Sequence, residues 1–178
     1  MDANQDFRAA LGRVFAEVVD SAIRKHVTSQ GDPAVADYLG SLMTAFTRLE
    51  NVYGIRDRAG NPVVSIADML AEGDLRQRAD TLEREREVHK HIGDFLLFWS
   101  GVYPEFLRRM KVEVCPNGIV DVHRQGPESY YVVSTFSQQP YLNDAPTFRR
   151  LSDGFEDWAF CLGVVRDRLG LAGPPTAN

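Results

Sequence analysis

The chain is 178 residues long with a formal net charge of −5, and its 44% hydrophobic and 25% charged residues match one ordinary folded domain rather than a disordered or fibrous chain. Its basic residues form no long block, which argues against nucleic acid as a partner, and no apolar run approaches the roughly 20 residues that a membrane-inserting helix needs. The start Met1-Asp2-Ala3-Asn4-Gln5-Asp6 lacks the basic and apolar parts of a signal peptide, and Cys115 and Cys161 belong to no Cys-x-x-Cys pair, so a cytoplasmic chain with free thiols is expected.

Phe7, Leu11, Val14, Val18, Ala22 and Ile23 recur at helical spacing and predict a first amphipathic helix over about 6–28, with His26 near its C-terminal dipole. Asp32-Pro33 then supplies a cap and a proline at the first helical position, opening a second helix that buries Val35, Leu39, Leu42, Phe46 and Leu49. Between Asn51 and Pro62 glycines and polar residues interrupt every period, which predicts a surface loop. Ser65 caps a short helix through Met69 and Leu70 that ends near Gly73.

The next helix, over about 80–100, begins as Glu83-Arg84-Glu85-Arg86-Glu87 and ends as Phe95-Leu96-Leu97-Phe98-Trp99, so one end is solvated and the other is buried all round. Gly101 and Pro104 read as its stop, followed by a short helix through Leu107. Two β-rich runs around Cys115-Pro116-Asn117-Gly118 fit a small β-hairpin near 111–123. Gly126-Pro127 opens a helix through Tyr130, Val133 and Phe136. Phe148, Leu151, Phe155, Trp158, Leu162, Val165 and Leu169 predict one long final helix capped by Asp144. The expected fold class is all-α: a single helical domain over 1–170, built as a bundle of about four to six helices with that hairpin at one end, and a flexible tail over 171–178.

Chemistry concentrates on the fourth of these segments. Glu87, His91 and Asp94 follow one another at steps of four and three, a spacing that offers two or three ligands to a metal inside a bundle, with His123, Asp121 or a tyrosine completing the shell. The structural alternative leaves Glu87 solvated and His91 partly exposed, with Asp94 paired to an arginine or to a backbone group. A phenol donated across the bundle by Tyr130 or Tyr131 would also satisfy Asp94. Candidate ligand-binding residues are Asp94, His91, Tyr130, Phe98 and Trp99, the last two among aromatics (Phe95, Phe155, Trp158) able to line a site for a small apolar ligand. A covalent hydrolase is disfavoured, because no Gly-x-Ser-x-Gly elbow is present.

The run Ile92-Gly93-Asp94-Phe95-Leu96-Leu97-Phe98-Trp99-Ser100-Gly101 with Pro104-Glu105, and the later Gly126-Pro127-Glu128-Ser129-Tyr130, resemble paired motifs of a group of uncharacterised bacterial helical proteins. The resemblance implies a helical fold and groups Gly93, Asp94 and Tyr130, and it implies no particular activity. Gly93 in a helix interior costs about 1 kcal/mol relative to alanine, which a close helix approach beside Asp94 would explain. Three functions are compatible with these residues: a non-enzymatic helical interaction module that binds a protein partner or forms a homodimer, a bundle holding a small apolar ligand, and a metal-dependent or acid-base enzyme using Glu87, His91 and Asp94. The first is expected.

Overall fold

The computed structural model describes residues 3–48, 51, 54–105, 107 and 121–171. Seven α-helices are found among the described residues: α1 Ala3–His26, α2 Pro33–Phe46, α3 Ile66–Gly73, α4 Leu82–Val102, α5 Val122–Ser134, α6 Ala145–Asp153 and α7 Phe155–Leu169. The all-α class is therefore correct, with one helix more than the expected upper count. No helix among the described residues is long and apolar enough to cross a membrane.

The helix starts follow their capping residues. Asp32 accepts a hydrogen bond from Val35 N at 3.2 Å, with Pro33 at the first helical position. Ser65 Oγ accepts from Asp68 N, and Thr81 Oγ1 from Arg84 N at 3.1 Å. The loop before α3 is pinned at both ends by buried Ile55 and Val63, while between them the Asp57 carboxylate accepts from the amides of Ala59 and Asn61.

Several expectations are corrected. The buried stripe of α1 is Phe15, Val19, Ala22 and Ile23, while Phe7 and Val14 are exposed. Both stripes obey the helical period; which one turns inward is decided by α2, whose Gly40 sits so close that a Cβ there would lie 2.7 Å from Ala16 N. α4 ends at Val102, between Gly101 and Pro104 as expected, and Gly101 also serves the crossing with α7, where a Cβ would stand 2.6 Å from the Ala159 carbonyl oxygen. The helix after the expected hairpin begins at Val122, not at Gly126: Asp121 caps it by accepting from His123 N at 3.0 Å, and Pro127 lies inside it. Val122 is thus helical and not part of a strand, and the rest of the hairpin segment, 111–120, lies outside the described residues. The long final helix is two, α6 and α7, meeting at Gly154. Trp158 folds back there to donate its indole N–H to the Arg150 carbonyl at 2.8 Å, and a Cβ on Gly154 would collide with that ring at 2.8 Å. Asp144 stands at the cap position of α6 but makes no side-chain cap bond.

α4 is the axis of the bundle: every residue from Ile92 to Trp99 is buried, as its change from charged to apolar composition requires. It contacts α5 and α7 most extensively, then α3 and α2, and α1 closes the structure against α2 and α7. One continuous cluster of buried side chains draws on all seven helices. Cys161 is a buried free thiol within that cluster, and burial pushes its pKa up to about 11, so it is an inert core residue. Leu49 and the tail beyond Leu171 lie outside the described residues.

Candidate functional site: a buried carboxylate beneath a cationic cleft

Arg86, Lys90 and Asp94 are spaced four and four along α4, so they form one polar ridge on a face turned toward α2 and α5. Asp94 is only 6% exposed. A carboxylate buried this deeply is stable only when its charge is compensated and its oxygens are hydrogen-bonded. Both conditions are met from three directions. Tyr130 of α5 donates its hydroxyl to Asp94 Oδ1 at 2.8 Å, Tyr38 of α2 donates to the same oxygen, and the Lys90 ammonium donates to Oδ2 at 2.6 Å.

Gly93 makes the α5 contact possible. A Cβ there would lie 2.7 Å from the Tyr130 ring, so only glycine lets the phenol rest against the α4 backbone with its hydroxyl on the neighbouring carboxylate. Phe148 holds both phenols in place, with ring centroids 5.2 Å from Tyr38 and 5.9 Å from Tyr130. Burial first, and then the charge of Asp94, push both phenols well above their usual pKa, so they stay protonated donors. Three of the roughly four acceptor positions of Asp94 are taken, which favours a structural pin over a metal ligand or proton carrier.

Gly93, Asp94 and Tyr130 thus come together as the sequence leads one to expect. Tyr131 does not take part; it is exposed beneath the Arg149 guanidinium. Glu87, His91 and Asp94 are not brought together. Glu87 is solvent-facing and pairs with Arg84 at 3.0 Å, and the His91 ring lies between Phe46 and Phe95, with centroids 6.4 and 6.3 Å away. Among the described residues no group of three or more His, Cys, Asp or Glu side chains is arranged to hold a metal. Phe98 and Trp99 are buried against Phe46 and Tyr103. Together with Phe95, Phe155 and Trp158 they belong to the buried core.

Three site residues escaped the sequence reading. Lys90 and Arg86 are one and two helical steps of four before Asp94, so their signal is the i, i+4, i+8 spacing. Tyr38 carries none, because it flanks the apolar stripe of α2 and only the packing of α2 on α4 brings it to Asp94.

Above the pin, α2, α4 and α6 leave an open cleft of about 330 Å³ whose walls include Tyr38, Arg86, Lys90, Thr147, Asp37 and Asp144. The Arg86 side chain is 12% exposed, with its guanidinium laid over the rings of Tyr141 (4.0 Å) and Phe148 (5.4 Å). Its Nε is buried without an acceptor, and its Nη2 has only Asp144 Oδ2, at 3.6 Å. Asp144 is 62% exposed and free of a capping bond. The cleft therefore holds a cation fixed by aromatic rings and poorly matched to the acceptor beside it. Native interiors rarely leave such a donor unmatched.

A second polar junction joins α4 to α5. Ser129 Oγ, fully buried, accepts from Gln125 Nε2 at 3.1 Å and lies 3.4 Å from His89 Nδ1. Burial lowers the His89 pKa below its usual value, partly opposed by the charge of Asp74. The serine has no solvent access, so this is a neutral structural contact rather than a nucleophile and its base.

The chain matches no protein-family model, no curated protein and no solved structure.

Proposed function

We propose that this chain is a non-enzymatic helical binding module whose cleft between α2, α4 and α6 takes a small molecule through a carboxylate group. The observation that carries this reading is the buried Arg86 Nε without an acceptor at the edge of that open cleft. The Nε–Nη2 edge of a guanidinium matches a carboxylate with two parallel hydrogen bonds, and the rings of Tyr141 and Phe148 already hold it in one orientation. An incoming carboxylate displaces the exposed Asp144 side chain and takes both donors.

Lys90 is the next cation on the same face, with one of its three N–H donors committed to Asp94. Asp37 and Asp144 also border the cleft, so a dianion meets two like charges there. That favours a monoanion, and an amino group elsewhere on the ligand gains from the same acids. The cleft volume is at the lower end for small-molecule sites, which fits a ligand of amino-acid size.

Isothermal titration calorimetry with glycine, acetate and inorganic phosphate as probes tests the reading. Saturable binding of glycine or acetate in preference to phosphate is expected, lost in Arg86→Gln and strengthened several-fold in Asp144→Ala, which removes the competitor. Binding unchanged in Arg86→Gln, or no carboxylate binding at millimolar concentrations, would overturn it.

A further inference from the structure

The cleft between α2, α4 and α6 is charged differently along its walls. Arg86 and Lys90 stand one turn apart on α4, while Ala34, Asp37, Tyr38 and Ser41 recur at steps of three and four and make the α2 wall. Aromatic rings lie between the two ends. The Arg86 guanidinium carbon is 5.4 Å from the centre of the Phe148 ring, Phe148 is 5.2 Å from Tyr38, and the Lys90 nitrogen is 5.2 Å from that same tyrosine ring. The cation at the Tyr38 end is already matched, because Lys90 pairs with Asp94 at 2.6 Å. Asp37, next to Tyr38 on α2, is exposed, and among the described residues its carboxylate makes no ion pair, either with Arg13 of α1 or with Arg86 and Lys90 across the cleft. An unmatched guanidinium edge and an unmatched carboxylate thus border one cleft, beyond ion-pair distance of each other.

Resting on the carboxylate reading above, we propose that the ligand is an extended zwitterion: an ω-amino carboxylate with its carboxylate on Arg86, its ammonium at Asp37 and its carbon chain over Phe148 and Tyr38. Both ligand groups are charged at neutral pH. A plain carboxylate of the same length leaves Asp37 without a cation and meets it only as a repelling charge. An α-amino acid carries its ammonium on the carbon beside the carboxylate, so docked on Arg86 it leaves the rings of Phe148 and Tyr38 uncovered. An extended alkyl chain advances about 1.2 Å per bond, so 6-aminohexanoate separates its two charged groups by roughly 7 Å. That length exceeds one of the ring spacings that lead from Arg86 to Tyr38 and falls short of their sum. The same two groups at the same separation are offered by a polypeptide that ends in lysine.

The test is calorimetry of the full chain with 6-aminohexanoate, hexanoate, glycine and Nα-acetyl-L-lysine as probes. Binding of 6-aminohexanoate about fivefold tighter than hexanoate is expected, the upper range for a solvent-accessible ion pair, and tighter than glycine as well. In Asp37→Asn, whose fold is checked by circular dichroism, the preference over hexanoate should collapse, because the ammonium loses its partner while the plain carboxylate loses a repelling charge. Nα-Acetyl-L-lysine stands for a chain ending in lysine; tight binding of it or of 6-aminohexanoate supports the inference, and the tighter of the two names the source. Equal affinity for hexanoate and 6-aminohexanoate, with both lost in Arg86→Gln, would overturn the zwitterion and leave the carboxylate reading standing. So would glycine binding as tightly as 6-aminohexanoate, or a preference that survives Asp37→Asn. The absence of binding by every carboxylate probe would overturn both.

Discussion

Asp94 and Arg86 stand two turns apart on the same face of α4, and they differ in what surrounds their charge. Asp94 has three donors from three helical positions and lies closed beneath the bundle surface. Arg86 is held by two aromatic rings, has an Nε without an acceptor and borders an open cleft. A completed polar centre contributes to holding helices in register; an incomplete one beside open space is where a ligand can add hydrogen bonds without displacing good ones.

Substitutions separate the two centres. Asp94→Ala leaves Lys90 and two phenols facing a hole, and should cost about 3–5 kcal/mol in urea unfolding, as breaking a buried charge cluster does. A loss below about 1 kcal/mol would mean that the carboxylate is not the pin. Tyr130→Phe removes one hydrogen bond to a charged group and keeps the ring on Gly93, so a smaller loss of about 1.5–3 kcal/mol is expected. Arg86→Gln gives up ring stacking and a long ion pair, and should cost only about 1 kcal/mol while abolishing carboxylate binding. If Arg86→Gln proved as destabilising as Asp94→Ala, the guanidinium would be part of the pin and the contrast would fail.

The smallest effect is a dependence on pH at the α4–α5 junction. The folded-state pKa of His89 lies below its usual value of 6.5, so the unfolded chain binds the proton more readily. Its contribution to stability is complete above that value and is lost as the pH falls through the folded pKa. Unfolding free energies measured from pH 7.5 to 5 should therefore fall less steeply in His89→Gln than in the parent chain. Parallel curves would show that His89 is not titrating in a buried setting.

Local signals in the sequence resolved much of this structure. The caps at Asp32 and Ser65 and the buried half of α4 follow from short-range chemistry, a side-chain oxygen before a helix and an apolar turn. The pairing of Asp94 with the distant Tyr130 follows instead from the need of a buried acid for a donor, and its grouping with Gly93 from the resemblance. What failed depended on neighbours distant in the chain. Whether α1 buries Phe7 or Phe15 is decided by where Gly40 lets α2 approach, and whether Gly154 interrupts a helix is decided by its contact with Trp158. At the site, the Glu87–His91–Asp94 spacing was one of two polar stripes available on α4. Arg86–Lys90–Asp94 is the one that meets Tyr38 and the cleft, while His91 packs on Phe46 at the end of α2, and no residue of α4 alone says which stripe will meet which part of α2.

Carboxylate binding at Arg86 is best probed by NMR of the arginine side chains. Nε–Hε correlations would be recorded during a glycine titration, with the Arg86 resonance assigned by its loss in Arg86→Lys. A saturable shift of that resonance is expected, larger than for any other arginine, with a midpoint matching calorimetry. An Arg86 resonance that stays in place while the protein binds glycine, or that moves no more than the surface arginines do, would contradict it.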